Sequence, residues 1–269
     1  KFIYMMASFL WDYSPYLIET SFFSLRYYSL FFGLGILFVW HRSVKELSGT
    51  IEKETLESSL FNIIIFTLVG SRLFHCFFYE FEYYSRNILE VLLPIRLYPL
   101  EVTGFQGLSS HGGFIGLIIY LFFILKKRVS QVQLNNFLDT ILINSLILIS
   151  LIRIGNLFNS EILGKPCSDF ICVTFISYDL IPRYPVQILE GIGYLLLFFF
   201  FSFFRPRILQ KSGKLSLLIL VSVVILRFLL EFLKEPQSDF LLAYLNMGQL
   251  LSLFVVGFFV FFFKASKEN

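Results

Sequence analysis

Apolar positions along this chain come in long blocks rather than in alternation. Seven blocks approach the roughly 20 residues that a helix needs to cross a bilayer: Phe22 to Trp40, Leu60 to Tyr79, Leu108 to Leu125, Leu134 to Ile152, Tyr184 to Phe204, Leu215 to Leu233 and Leu241 to Phe263. The third is the weakest, being the shortest and carrying Ser109, Ser110 and His111 near its start. Two of the intervening segments are too long to be turns. Residues 80–107 hold Pro94 and Pro99 among Phe, Tyr and Leu, and residues 154–183 hold Pro166, Pro182 and two Cys. The pattern predicts an all-α integral membrane protein, one domain over residues 1–269 with seven transmembrane helices. An outer arm (80–107) and an outer head (154–183) would lie at the interface, as their aromatic and Pro content suits.

Orientation follows from Lys and Arg, which short cytoplasmic loops retain. With the N-terminus outside and the C-terminus cytoplasmic, twelve of the 22 basic residues fall on the inner side, including Lys126, Lys127 and Arg128, and six on the outer. The other four, Arg26, Arg72, Arg153 and Arg227, lie inside or at the edge of spans. Because successive spans run in opposite directions, all four fall in the outer half of the membrane. His111, Gln187, Glu190, Gln249 and Glu231 fall there too. An ionisable group at membrane depth costs roughly 2.5 to 3.5 kcal/mol or more, so convergence on one side implies a cavity opening toward the outer leaflet.

Composition agrees with the membrane reading: 57% hydrophobic, 36 Phe and 15% charged, where a soluble domain has about 25% charged residues. The net charge of +3 is small and no basic stripe stands out, so no nucleic-acid partner is expected. Cys76, Cys167 and Cys172 show no metal spacing; the latter two could pair in an oxidising compartment or remain thiols. No Walker loop, HExxH, GxSxG or CxxC pattern is present. No metal or other cofactor is expected.

The most informative stretch is Arg153 to Gly164, R-I-G-N-L-F-N-S-E-I-L-G, directly after a long apolar run. Arg153 could simply snorkel to a headgroup while Asn156 and Asn159 cap a helix end. Arg227 and Glu231, four apart on one helix, can pair. That pairing is a cheap way to keep an Arg in a membrane. It also makes an anion receptor, because the planar guanidinium fork matches phosphate oxygens. Arg153 with Glu161 could repeat the device. His111, followed by Gly112 and Gly113 at an expected helix start, could serve as a general base beside such a site, with Gly112 allowing close backbone approach to an anion.

These residues resemble a known family. H-G-G-F-I-G at 111–116, the 153–164 stretch, Y-P-V-Q-I-L-E at 184–190, R-F-L-L-E-F at 227–232 followed by K-E-P, and M-G-Q-L-L-S at 247–252 resemble the bacterial prolipoprotein diacylglyceryl transferases in order and spacing. The resemblance implies a multi-pass enzyme of the cytoplasmic (inner) membrane that works at the outer leaflet. It would move the diacylglyceryl group of phosphatidylglycerol onto the lipobox Cys of a preprolipoprotein, forming a thioether and releasing glycerol phosphate. By motif position, Arg153 and Arg227 would hold the lipid phosphate and Glu161 and Glu231 would orient them. Asn156 and Gly164 fall on signature positions, Tyr28 on the first-span Tyr, and His111 on a proposed base. Arg72, Gly112, Gln187, Glu190 and Gln249 complete the expected lipid-binding set. The implied partners are phosphatidylglycerol, the lipobox segment and the bilayer. The chain departs from the family pattern at Phe105, Ile152, Tyr184, Val186 and Leu189, and has Arg26 where His is common. An alternative is therefore a non-catalytic lipid- or lipoprotein-binding homologue; a transporter or channel would need polar residues through both membrane halves.

Overall fold

The computed structural model describes residues 8–20, 23–93, 95–96, 101–102, 107–208, 214–235, 241–242, 245–246 and 257, with 95–96, 101–102, 110–111, 207–208, 241–242 and 245–246 as backbone only. The chain is mostly helical and divides into two compact units, Glu46–Leu134 and the remainder.

In the larger unit, β1 (Phe9–Trp11) and a hairpin of β2 (Tyr16–Glu19) and β3 (Ser24–Arg26) precede α1 (Tyr27–Leu47). Helix α1 thus begins five residues later than the apolar run. The Thr20 hydroxyl explains the delay: it donates to the Phe23 carbonyl (2.8 Å) and accepts the Phe23 N–H (3.0 Å), closing the hairpin. Arg26 accordingly sits in a strand, donating to the Tyr16 hydroxyl (3.0 Å) with its guanidinium over that ring. It is not within a membrane span as expected.

The smaller unit contains α2 (Lys53–Phe78), the short helices α3 (Phe81–Arg86) and α4 (Leu89–Leu92), a two-residue pairing of β4 (Ile95–Arg96) with β5 (Glu101–Val102), and α5 (Ser110–Ile119). Helix α5 continues into a π-helical turn over Tyr120–Ile124 and a 3₁₀ turn over Leu125–Lys127. A stripe of small residues joins α2 to α5. A side chain on Gly112 would strike the Gly70 carbonyl and Phe74, and one on Gly116 the Phe66 carbonyl. Small residues at this spacing let helix backbones touch, which is how helices associate where lipid removes the hydrophobic drive.

Helix α6 (Gln131–Phe158) belongs to the larger unit from Asn135 onward, with α7 (Val186–Ile208) and α8 (Lys214–Glu231). Ile143, Leu146, Tyr194, Phe198, Phe201, Leu215 and Ile219 form their shared core. Polar groups tie the same helices: Asp139 accepts the Ser216 N–H (2.7 Å) at the start of α8, and Ser150 Oγ donates to the Gly191 carbonyl (2.9 Å). Helix α6 runs six residues past the apolar block, so Asn156 lies on its last turns rather than in the head.

The head is not helical. β1 pairs in parallel with β6 (Val173–Phe175), which pairs antiparallel with β7 (Pro182–Arg183). The all-α expectation is corrected here to a helical protein carrying a small β head. Cys167 and Cys172 are joined, and Cys76 is a buried thiol. Lys165 donates its N–H to the Leu233 carbonyl (2.7 Å) and Glu235 to that of Leu163 (3.0 Å), tying the segment after α6 to the end of α8. Arg183 reinforces this join. It donates to the Gly164 carbonyl (3.1 Å), Glu235 (2.9 Å) and Asp179 (2.6 Å). Partial burial pushes the Asp179 carboxyl up, but the Arg183 and Ile181 hydrogen bonds and the Arg183 charge together hold it below its usual value.

Among the described residues, three helices are long and apolar enough to cross a membrane: Lys53–Phe78, Gln131–Phe158 and Val186–Pro206. Helix α8 has 18 residues and carries Lys214, Arg227 and Glu231. The seventh expected span falls almost wholly outside the described residues. Its first described positions, β8 (Leu241–Leu242) and β9 (Leu245–Asn246), pair as a short antiparallel ladder rather than as helix.

Candidate active site

The site grows from the last two turns of α6. Arg153 and Asn156 are three apart and share a face, and Arg153 Nη1 donates to Asn156 Oδ1 (3.2 Å). Asn156 passes the contact on through Nδ2 to Glu161 Oε1 (2.7 Å), which also accepts from Asn159 Nδ2 (3.2 Å). Glu161 therefore acts on Arg153 through Asn156 and not by the direct pairing expected. The backbone bends sharply to place it: Ser160 and Ile162 both have positive φ, 50° and 59°. For a β-branched residue such as Ile162 this conformation is strained, and such strain persists only where surrounding structure enforces it. Here the Glu161 N–H is fixed on the Asn156 carbonyl (3.1 Å) and the Gln187 amide donates to the Glu161 carbonyl (2.7 Å).

Helix α7 supplies the counter-charge. Glu190, fully buried, places Oε2 2.7 Å from Arg153 Nε and Oε1 2.9 Å from Lys234 Nζ. These are close ion pairs rather than aligned hydrogen bonds, since neither oxygen nor Arg153 Nε has a partner in hydrogen-bond geometry. Lys234 in turn reaches Glu231 Oε2 (2.9 Å). The result is a chain of alternating charge, Arg153–Glu190–Lys234–Glu231, across α6, α7 and the end of α8. Alternation is what makes it tolerable, because a buried ion is costly unless paired.

Arg227 stands apart from this chain. The expected Arg227–Glu231 pair is not formed: among the described residues Arg227 makes no ion pair, and its Nε is buried without a hydrogen-bond partner. It lies within electrostatic reach of the Tyr194 hydroxyl, as do Glu190 and Arg153. Tyr28, at the start of α1, lies against Gly155, where an added Cβ would come within 2.9 Å of the Tyr28 backbone. Its hydroxyl is within electrostatic reach of Glu161 and Arg153. Gly164 is needed for packing, since a side chain there would meet the Tyr184 carbonyl. Six expected residues of this unit, Tyr28, Arg153, Asn156, Glu161, Gln187 and Glu190, thus come together, with Arg227 and Glu231 adjoining them.

Two expected residues lie in the smaller unit. Arg72 is buried, donating to the Val91 (3.1 Å) and Glu90 (2.6 Å) carbonyls with its guanidinium 4.8 Å from the Tyr84 ring centre. Those contacts fasten the arm to α2. The lack of a side chain at Gly112 is accounted for by its contact with α2. The His111 side chain and Gln249 lie outside the described residues.

Sequence reasoning missed Lys234, which it counted as one more outer basic residue, and Tyr194, whose buried hydroxyl has no hydrogen-bond partner. The three-residue spacing from Glu231 to Lys234 was the available signal for the first. Nothing in the sequence marks Tyr194 among so many aromatics. Two departures from the family pattern are structural: Val186 is fully buried at the start of α7, and the Tyr184 hydroxyl donates to Asp169 in the head (3.0 Å).

Known proteins resemble this chain over nearly its whole length. The family described as prolipoprotein diacylglyceryl transferase matches residues 15–264. A Bacteroides fragilis protein named phosphatidylglycerol–prolipoprotein diacylglyceryl transferase is 34% identical over 98% of both chains. Proteins of the same name from Chloroherpeton thalassium and Tolumonas auensis are 36% identical (90% of this chain, 88% of theirs) and 31% identical (96% and 98%). With the family matching all but the two ends, the chain belongs to the prolipoprotein diacylglyceryl transferase family.

Proposed function

We propose that this protein transfers the diacylglyceryl group of phosphatidylglycerol to the lipobox cysteine of preprolipoproteins, the step named for its relatives. In the reaction the Cys sulfur attacks the glyceryl carbon bonded to the phosphate oxygen. A C–S bond forms, the C–O bond breaks, and glycerol phosphate departs with the bonding pair. The thiol proton must leave first, since the thiolate is the nucleophile; His111 is the base we assign by motif position. Arg153 and Arg227 stabilise charge on the leaving phosphate, the role that preorganised donors play best. Asn156, Glu161 and Glu190 fix Arg153, while Tyr28, Gln187 and Gln249 shape the lipid site.

In this reading the chain crosses the cytoplasmic membrane seven times with its N-terminus outside, and the site opens toward the outer leaflet. The Cys167–Cys172 bridge supports that side, since disulfides persist in oxidising compartments. The observation that carries the proposal is Arg153, a buried guanidinium held by Glu190 and Asn156 at the end of an apolar helix. The test is release of glycerol phosphate from phosphatidylglycerol vesicles on addition of a lipobox peptide. Release that requires the peptide Cys and is lost in Arg153→Ala supports the reading; release unchanged in that variant sinks it.

A further inference from the structure

The absent Arg227–Glu231 pair calls for a cause, and the structure supplies one. Glu231 is one helical turn from Arg227, the spacing at which opposite charges on a helix normally meet. Instead its Oε2 is 2.9 Å from Lys234 Nζ, while Arg227 has no ion pair among the described residues and a buried, unpartnered Nε. Lys234 is itself nearly inaccessible, its side chain 4% exposed, and its ammonium spans two carboxylates, Glu190 and Glu231, at 2.9 Å each. A buried Lys is costly, so it persists only where the chain holds it. Two backbone hydrogen bonds do so, Lys165 N–H to Leu233 and Glu235 N–H to Leu163, one on each side of Lys234.

We propose that Lys234 is a positioning residue that keeps Arg227 open for the lipid phosphate by occupying Glu231. This rests on the reading of Arg227 as a phosphate ligand. With the ammonium in place, Glu231 has a full charge partner and Arg227 keeps its donors for an incoming phosphodiester. Without it, Glu231 turns onto Arg227, and that guanidinium spends on a carboxylate the fork it would give to phosphate. Lys suits this task better than Arg would at a phosphate site, being a compact charge that satisfies two carboxylates without offering a planar fork of its own.

The experiment measures phosphatidylglycerol binding to the purified full chain in zwitterionic detergent, with melting followed in parallel. Lys234→Met removes the ammonium at nearly constant volume, and binding should weaken by about tenfold or more, the scale expected when a charge-assisted contact is lost. Lys234→Arg should stay within about threefold of the parent, since a cation is retained. The decisive variant is Lys234→Met with Glu231→Gln, in which no carboxylate one turn from Arg227 remains. Its binding should return to within about threefold of the parent, which a merely structural role for Lys234 would not produce. Glu231→Gln alone should bind at least as well as the parent and serves as the test should Lys234→Met fail to fold. Binding by Lys234→Met equal to the parent, no recovery in the double variant, or binding weakened by Glu231→Gln alone would each overturn the proposal. A parent protein that binds no phosphatidylglycerol would overturn the functional reading as well.

Discussion

Glu190 on α7 lies 2.7 Å from Arg153 on α6, with both side chains withdrawn from solvent. An ion pair at that depth contributes little net stability, because desolvation offsets the attraction, but removing one member strands the other. Glu190→Gln should therefore destabilise the protein by about 3–5 kcal/mol, the usual cost of an uncompensated buried charge. It should also lower transferase activity. A melting curve in detergent within a degree or two of the parent would contradict this.

Asn156 is the relay between Arg153 and Glu161, accepting from one and donating to the other. Asn156→Ala breaks both contacts and should cost about 1–3 kcal/mol in stability, the penalty for leaving buried polar groups unsatisfied. The turnover number for the lipobox peptide should fall more than tenfold. Asn156→Asp keeps the acceptor but sets a second carboxylate beside Glu161, and should recover little. Turnover in either variant matching the parent would remove Asn156 from the site.

At Gly116 the neighbouring backbone leaves no room for a side chain, the Phe66 carbonyl occupying its place. Gly116→Val should separate α2 from α5 and destabilise by about 1–3 kcal/mol or more, as overpacking does. Gly33, beside which an added Cβ meets nothing, provides the control: Gly33→Ala should be neutral or slightly stabilising. Equal melting temperatures for Gly116→Val and the parent would exclude the close helix contact.

The head should be acid-labile. Asp179 is held below its usual carboxyl value in the fold, so it stabilises the folded state fully above the unfolded value of about 3.9, and that contribution is lost as pH falls through the lower folded value. Melting temperature should accordingly be flat near neutrality and drop below about pH 4. Asp179→Asn should shrink that drop while lowering stability at pH 7. An acid profile identical to that of the parent would show that the Asp179–Arg183 pair does not govern it.

Much of this was legible in the chain. Apolar blocks located the helices because a bilayer demands long uninterrupted runs, and the amide-rich stretch from Arg153 marked a cluster of paired polar groups because charge at the end of such a run must be partnered. What was not legible depended on contacts between distant segments. Depth along a hydropathy block does not show that Arg72 donates to the Glu90 and Val91 carbonyls. Arg26 read as intramembrane because a hydropathy block does not show the Thr20 turn that delays α1. Glu231 read as the partner of Arg227 because helical spacing allows that pair; Lys234, held in place by backbone pairing with residues 163–165, takes it instead. The β head was hidden for a similar reason, since strands of two or three residues from two distant segments of the unit carry no periodicity of their own.

The most direct test of the central claim is intact-mass spectrometry of a lipobox peptide after incubation with the purified protein and phosphatidylglycerol. The account predicts a diacylglyceryl adduct on the peptide Cys, abolished in Arg153→Ala and in Arg227→Ala. An unmodified peptide in the presence of bound lipid, or an adduct that persists in either Arg variant, would contradict it.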